Sequence, residues 1–409
     1  MKILFVSHYF PPEVNAPASR THEHARRWVA DGHEVTVITC VPNHPRGEIF
    51  PGYRNRLVQE ERVDGIRVIR PWTYVTPNEG FLKRMLNYLL FAFASVLASF
   101  KADRPDVVVA TSPQFFVGIA GVMIARLRRR PFVLEVRDLW PDSIVQLGQL
   151  RNARVVRALE AVESWLYRCA AGIVVNTQAF IDHIAGRGIP RDRIELIYNG
   201  IDPVLFSPRP RDDALLRRHG IEGRFVVAYV GTLGLAHGLV TMLDAAERLR
   251  SERDLAFLFI GDGADRARLE QEVARRGLAN VQFLGLLPRA EIPAWLASID
   301  CLLVMLRDLP VFETVIPSKV FEFCAQERPV VVAARGEIRR LVEEAKAGLA
   351  IDPEDPAQLA AAILEVRRRP EEAAERARAG RAWVERGFQR DRQARRMAAF
   401  LERVAGGPR

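Results

Sequence analysis

Short, wholly apolar runs separated by longer amphipathic stretches leave a chain like this few ways to fold. In the first half the runs are Ile3 to Val6, Val35 to Thr39, Val107 to Ala110, Phe132 to Val136 and Ile173 to Val175. In the second they are Phe225 to Val230, Ala256 to Ile260, Val281 to Leu284, Cys301 to Met305, Val330 to Ala333 and Leu349 to Ile351. Runs this short, with no polar alternation, are strands buried on both faces, which calls for parallel sheets covered by helices. Each half reads as a β-α-β series. Between them lie Asn199-Gly200-Ile201-Asp202-Pro203 and the proline- and charge-rich stretch Ser207 to Asp213. The expected fold class is α/β, with two doubly wound Rossmann-like domains facing across a cleft, over residues 1–205 and 206–385. A terminal helix over 386–409 is expected to pack back toward the first domain. Ligands in such sheets bind beyond the carboxyl ends of the strands.

Composition narrows the class. A chain of 409 residues, 49% hydrophobic and 27% charged, is globular rather than disordered. Cys40, Cys169, Cys301 and Cys324 stand far apart, with no CxxC and no histidine at ligand spacing, so they read as reduced core thiols of a cytosolic protein. The net charge is +9, and residues 1–205 hold 26 basic against 20 acidic groups, so that half is the one to meet an anionic surface. Only Lys2, Lys83, Lys101, Lys319 and Lys346 are lysine. The arginines are spread over both halves among acids, so no nucleic-acid partner is expected. Met1 leads straight into a strand, with no signal-peptide pattern. Met85 to Phe100 is apolar but short of the roughly 20 residues a spanning helix needs. It reads either as a buried helix or, flanked by Lys83, Arg84 and Lys101, as one lying in a bilayer interface.

The residues just after the strands carry the chemistry. Gly231-Thr232-Leu233-Gly234-Leu235-Ala236-His237-Gly238 leads into a helix expected over Leu239 to Leu249. A glycine-rich turn feeding a helix accepts phosphate on backbone N–H groups; alone, it is equally a tight turn without a ligand. Gly261-Asp262-Gly263 and Gly285-Leu286-Leu287-Pro288 repeat the pattern at the same sheet edge. Three such loops on one rim point to a nucleotide, with Gly231, Gly261, Gly263 and Leu287 on the donor side. Pro317-Ser318-Lys319-Val320-Phe321-Glu322-Phe323 opens a further helix, with Ser318 expected as N-cap. Lys319 in its first turn opposes the helix dipole by roughly a few tenths of a kcal/mol unless an anion sits there. A diphosphate resolves the conflict, and Glu322 one turn on can accept ribose hydroxyls. The alternative is a capped surface helix with both charges solvated.

Taken in order, Gly231, Gly261-Asp262-Gly263, Asn280-Val281-Gln282-Phe283-Leu284-Gly285 and Phe321-Glu322 resemble the donor half of the family 4 glycosyltransferases, which have the GT-B fold. Ile197-Tyr198-Asn199-Gly200-Ile201-Asp202 with Phe206-Ser207-Pro208 is similar to that family's interdomain signature. Tyr9-Phe10-Pro11-Pro12-Glu13, Pro42-Asn43-His44-Pro45, Arg137-Asp138-Leu139-Trp140-Pro141 and Pro317-Ser318-Lys319 resemble the bacterial branch that builds surface polysaccharides (O-antigen, capsule, exopolysaccharide) from nucleotide-activated amino sugars. The resemblance implies a retaining transferase that uses a nucleotide sugar, UDP-linked and N-acetylated. It implies an acceptor hydroxyl on a polyprenyl-diphosphate-linked glycan, met at the inner face of the plasma membrane. Pro12, Arg20, Asn43, His44, Arg137 and Trp140 would lie on the acceptor side, with Asp138 orienting the acceptor or acting as a base.

The departures matter too. Where the family holds the diphosphate with an Arg and a Lys in the first glycine loop, this chain has Thr232 and His237. Lys319 is the candidate replacement, with Arg20 reaching across from the first domain and Arg307 or Arg335 in reserve. The family's paired glutamates stand eight apart, which from Glu322 falls on Thr314, one residue from Glu313. Either Glu313 reaches the sugar or backbone amides near Ile316 and Pro317 do. No Asp-x-Asp occurs in the chain, so neither a metal nor another cofactor is expected. A nucleotide-sugar epimerase of the same fold stays open, as does a soluble acceptor, whereas a dehydrogenase would want glycines in Ser7-His8-Tyr9-Phe10-Pro11-Pro12, which has none.

Overall fold

The alternation of side chains along each strand divides the core into layers. The computed structural model describes residues 1–13, 15–44, 47–76, 81–112, 115–146, 150 and 152–406. Pro45 and the side chain of Arg84 lie outside the described residues. The chain forms two units, Met1–Asn199 with Arg390–Arg409, and Gly200–Gln389.

In the first unit the strands are β1 (Lys2–Val6), β2 (Glu34–Ile38), β3 (Val58–Val63), β4 (Ile66–Pro71), β5 (Val107–Thr111), β6 (Phe132–Val136), β7 (Gly172–Val175) and β8 (Ile194–Leu196). Their order is β3-β4-β2-β1-β5-β6-β7-β8, parallel apart from the antiparallel β3–β4 pair. Ile3 and Phe5 face one layer with Trp28, Met397, Phe400 and Leu401, whereas Leu4 and Val6 face the other with Phe91, Val96 and Ile124. The helix Arg390–Gly406 belongs to the first of these layers, because the Trp28 indole donates to the Ala394 carbonyl at 2.9 Å. Sequence periodicity did not mark β3, β4 or β8: the hairpin strands β3 and β4 carry charged outward positions such as Glu60, Arg62 and Arg67, and β8 is three residues long.

In the second unit β9 (Phe225–Val230), β10 (Leu255–Ile260), β11 (Val281–Gly285), β12 (Cys301–Met305), β13 (Val330–Ala333) and β14 (Leu349–Ile351) form a parallel sheet in the order β11-β10-β9-β12-β13-β14. The division between units falls at Asn199/Gly200 rather than at residue 205. Ile201 donates to the Phe388 carbonyl at 2.8 Å, which ties the stretch after Gly200 to the second unit. Cys40, Cys301 and Cys324 are buried free thiols; Cys169 is also free but half-buried, not a core residue.

Candidate active site

Sheet order reverses at β9, between β10 and β12, so the loops leaving β9 and β12 part around a crevice at their carboxyl ends. Gly231 leaves β9 with φ of 134° and Gly261 leaves β10 with φ of 139°. A Cβ on Gly261 would stand 1.9 Å from the Gly231 carbonyl oxygen, and one on Gly263 would stand 2.4 Å from that of Leu233. Gly231 donates to Ile260 at 2.8 Å, Leu233 to Asp262 at 3.0 Å, and Gly261 to Gly285 at 2.8 Å. The three loops are thus laced side by side. The glycines at 261 and 263 are required by this packing.

Lys319 enters this crevice from the helix Lys319–Ala325. Its ammonium lies 3.7 Å from the centroid of the Tyr229 ring, and a Cβ on Gly231 would meet it at 2.8 Å. Among the described residues Lys319 Nζ has no hydrogen-bond partner, and it is sealed from solvent. Burial pulls its pKa down to about 7, against the pull of Glu322 in the other direction. Burial likewise pushes Glu322 up to about 7, opposed by Arg289 and Lys319. His237 Nδ1 lies 3.1 Å from the Met305 carbonyl, and burial, helped by Lys319, lowers its pKa to about 4. The ring is therefore neutral, with its proton on Nδ1 and Nε2 left as an acceptor. Below the loop the Tyr229 hydroxyl donates to the Thr232 carbonyl at 2.9 Å. An ammonium with three donors and none used is costly in such surroundings unless an anion comes to it.

The reserve cations are engaged. Arg307 stands 3.6 Å from Glu354, and Arg335 lies 3.0 Å from Asp308 and 3.5 Å from Asp352. Ser318 does not cap the helix. Its backbone is already helical, φ −59° and ψ −24°, and its side chain makes no capping bond, because the turn begins at Pro317, whose carbonyl accepts from Val320 at 3.1 Å. Glu313 ends the short helix Pro310–Glu313 with its side chain exposed, while Gly336 packs against its backbone. Leu287 and Pro317 are half-buried, and Thr232 is exposed.

In the first unit the order reverses at β1, and the loops after β1 and β2 are joined by a buried carboxylate. Glu13 accepts from the backbone N–H of Asn43 at 3.0 Å and of His44 at 2.9 Å. Burial raises its pKa, opposed by those same bonds. The bond holds His44 beside Tyr9, ring centroids 5.2 Å apart, while the Asn43 amide donates to Val41 at 2.8 Å; Pro12 is exposed. Arg20 is wholly engaged inside its own unit, donating to Glu135 at 2.8 Å, to the carbonyls of Tyr198 at 2.9 Å and Ile197 at 3.0 Å, and to Asn199 at 3.1 Å. Those bonds leave it a positioning role at the end of the first unit, not the free reach expected of it. Arg137, by contrast, keeps Nε and Nη1 buried without partners among the described residues. Burial lowers its pKa to about 10, Glu135 opposing, so it remains a cation. Asp138 and Trp140 line a small cavity with Phe115, Glu163 and Tyr167, and the Trp140 and Phe115 rings lie 4.6 Å apart.

Sequence reasoning missed Tyr229, Met305 and Glu13 as parts of these arrangements. Tyr229 carried a signal, a hydroxyl inside an otherwise apolar parallel strand. Met305 acts through its carbonyl, which no side-chain pattern announces.

A GT-B fold with nucleotide-type loops around an unpaired buried cation marks the class of enzymes that act on nucleotide sugars. Residues 15–200 match the glycosyl transferase 4-like domain and residues 224–368 match the glycosyl transferases group 1 domain. The chain belongs to the family 4 glycosyltransferases. It is 27% identical over 374 residues to the putative colanic acid biosynthesis glycosyl transferase WcaI of Escherichia coli (strain K12), covering 89% of this chain and 91% of that one. It is 31% identical over 305 residues to the 2-deoxystreptamine glucosyltransferase of Streptomyces kanamyceticus, covering 72% and 76%. Among solved structures, HepE of Anabaena in complex with UDP shares the fold at a TM-score of 0.72 and 19% identity, covering 98% of this chain and 100% of that one. The chain is related to transferases of surface polysaccharide synthesis.

Proposed function

We propose that this enzyme moves an N-acetylamino sugar from a UDP-linked donor to a hydroxyl of a lipid-linked glycan, with retention and without a metal. The observation that carries the reading is the Lys319 ammonium, sealed under the Gly231 turn with its three donors unused. An anion is the strongest acceptor for such a group, and a diphosphate fits the laced loops on either side of it. The relatives in polysaccharide synthesis and the neighbour bound to UDP support the substrate class.

In this reading Lys319, with backbone amides of the Gly231 turn, stabilises the negative charge on the leaving diphosphate. Glu322 accepts from the ribose. Thr232, His237, Leu287, Pro317 and Ser318 frame the donor, and the neutral His237 Nε2 is an acceptor for a sugar hydroxyl. Glu313 takes hydroxyls of the transferred sugar. On the acceptor side Asp138 orients the attacking hydroxyl and takes its proton, or passes it to a phosphate oxygen, and Arg137 supplies the cation for an anionic group of the acceptor. Pro12, Asn43, His44 and Trp140 shape the approach, and the glycan's lipid places the work at the inner face of the plasma membrane.

The test is a melting screen over nucleotide sugars, in which a ligand at 100 times its Kd adds about 2.7 kcal/mol of stability. Transfer to a lipid-linked acceptor from the best donor follows, with the product anomer read by NMR. A larger shift with UDP-N-acetylhexosamines than with GDP or dTDP sugars and an anomer matching the donor support the proposal. An epimer formed from donor alone, or an inverted product, overturns it.

A further inference from the structure

The helix Phe81–Ala98, continued by the turn Ser99–Lys101, is buried along one side through Phe91, Ser95, Val96 and Ala98. Along the other side it exposes Leu86, Leu89, Phe93, Leu97 and Phe100, spaced as one stripe, with Phe93 at 63% and Leu97 at 58%. The neighbouring helix Phe115–Arg128 adds Met123 and Leu127, exposed one turn apart. The two helices end side by side, because Arg128 lies 5.7 Å over the Phe100 ring and donates to the Ala102 carbonyl at 2.9 Å. Among the described residues no helix is long and apolar enough to cross a membrane. A contiguous apolar face on this scale is an interaction surface.

Its rim identifies the occupant. Directly beyond Leu127 come Arg128, Arg129 and Arg130, with Arg126 before it and Lys101 at the end of the neighbouring turn. Arg126, Arg129 and Arg130 line a surface groove of about 490 Å³ together with Cys169 and Val404. Arg126 and Arg129 are exposed, and Arg130 Nε has no partner among the described residues. Among the described residues Arg126, Arg129 and Arg130 form no ion pair, and Asp103, just past the turn Ser99–Lys101, lies 3.7 Å from Arg67. An apolar stripe bordered on one end by unneutralised arginines matches a bilayer: acyl chains against the stripe, phosphates in the groove.

We infer that the stripe from Leu86 to Phe100, with Met123 and Leu127, inserts into an anionic membrane while the Arg126–Arg129–Arg130 groove takes a lipid headgroup phosphate. This deepens the lipid-linked acceptor proposed above by assigning the surface that meets the membrane.

The experiment is co-sedimentation of the full chain with vesicles of phosphatidylcholine alone or mixed with phosphatidylglycerol, with UDP affinity measured on every variant. The parent should pellet with the anionic vesicles only. Phe93→Glu with Leu97→Glu, and separately Arg126→Glu with Arg129→Glu, should each lower the partition on the order of tenfold or more. Val204→Glu, at an exposed valine of the second unit, should leave it unchanged. UDP affinity should be retained throughout, which separates this surface from the nucleotide site and shows that the variants are folded. Four results overturn the inference: unaltered partition in either double variant, equal binding to neutral vesicles, release by inorganic phosphate beyond that by chloride of equal ionic strength, or a dimer that dissociates in Phe93→Glu while vesicle binding persists. The third would make the groove a free-phosphate site and the fourth would make the stripe a self-association surface.

Discussion

The Lys319 ammonium rests 3.7 Å above the face of the Tyr229 ring, beneath a glycine turn on which a Cβ would stand 2.8 Å from it. A cation on an aromatic face keeps some electrostatic support when stripped of water, which explains how an unpaired lysine persists beneath the Gly231 loop. That support is weaker than a charged partner, so the group remains available to an anion.

Replacing Lys319 with alanine should therefore weaken UDP binding by about 1.5 to 3 kcal/mol, the range of a charge-assisted hydrogen bond. Arg307→Ala and Arg335→Ala should cost less, because Arg307 lies near Glu354 and Arg335 pairs with Asp308 and Asp352. Calorimetric titration of the three variants ranks them. Equal losses, or an unchanged Kd for Lys319→Ala, would show that the lysine does not touch the diphosphate.

Binding should also move protons in a direction that changes with pH. Burial holds the Lys319 pKa at about 7, so above that value the free amine is largely neutral and must gain a proton to meet a phosphate. Burial holds Glu322 at about 7 from the other side, so below that value its carboxyl must lose a proton before it accepts from ribose. UDP affinity should peak near neutrality and fall on both sides, with net proton uptake at about pH 8 and release at about pH 6. Calorimetry in buffers of different ionisation enthalpy measures this. Glu322→Gln should remove the acidic limb alone; a profile flat from about pH 6 to 8 in the parent contradicts the assignment of both groups.

Much of this was legible in the sequence, and the limits have physical causes. The buried parallel strands announce themselves because burial on both faces leaves uninterrupted apolar runs, and five of the eleven, including Phe225–Val230 and Cys301–Met305, keep the bounds read from the sequence. The hairpin of β3 and β4 does not, since charged residues occupy its outward positions. At the site, composition points to Lys319, yet a single hydroxyl in an apolar strand does not tell that Tyr229 lies beneath it, and Ser318 reads as a cap. Whether a serine caps depends on its own φ and ψ, which sequence spacing does not fix. Arg20 shows the same limit: a buried arginine and a ligand-binding one are the same letter, distinguished here by its bonds to Glu135 and to the carbonyls of Ile197 and Tyr198.

Gly261→Ala tests the loop packing. Its φ of 139° disfavours a side chain, and the new Cβ would stand 1.9 Å from the Gly231 carbonyl, where the backbone must move to admit it. The cost should be about 3 kcal/mol or more in urea unfolding, with weaker UDP binding in whatever remains folded. A midpoint equal to the parent's would mean that the two loops are not held together as described.

UDP binding should not require a divalent metal. Charge on a diphosphate is neutralised either by a cation held on carboxylates or by protein donors, and the two leave different traces in the chain. No Asp-x-Asp occurs, and among the described residues no group of three or more His, Cys, Asp or Glu side chains is placed to hold a metal ion. The donor crevice instead contains an ammonium with unused donors and a neutral histidine that offers no second charge. Lys319 alone balances part of a diphosphate, and the amides of the Gly231 turn supply further donors without carrying net charge. Affinity should therefore fall as ionic strength rises, and should be the same in EDTA as in magnesium once ionic strength is matched. Titration of the EDTA-treated protein checks this. A Kd that weakens about tenfold on chelation and recovers with magnesium would place a metal on the diphosphate and remove the need for Lys319 to carry its charge.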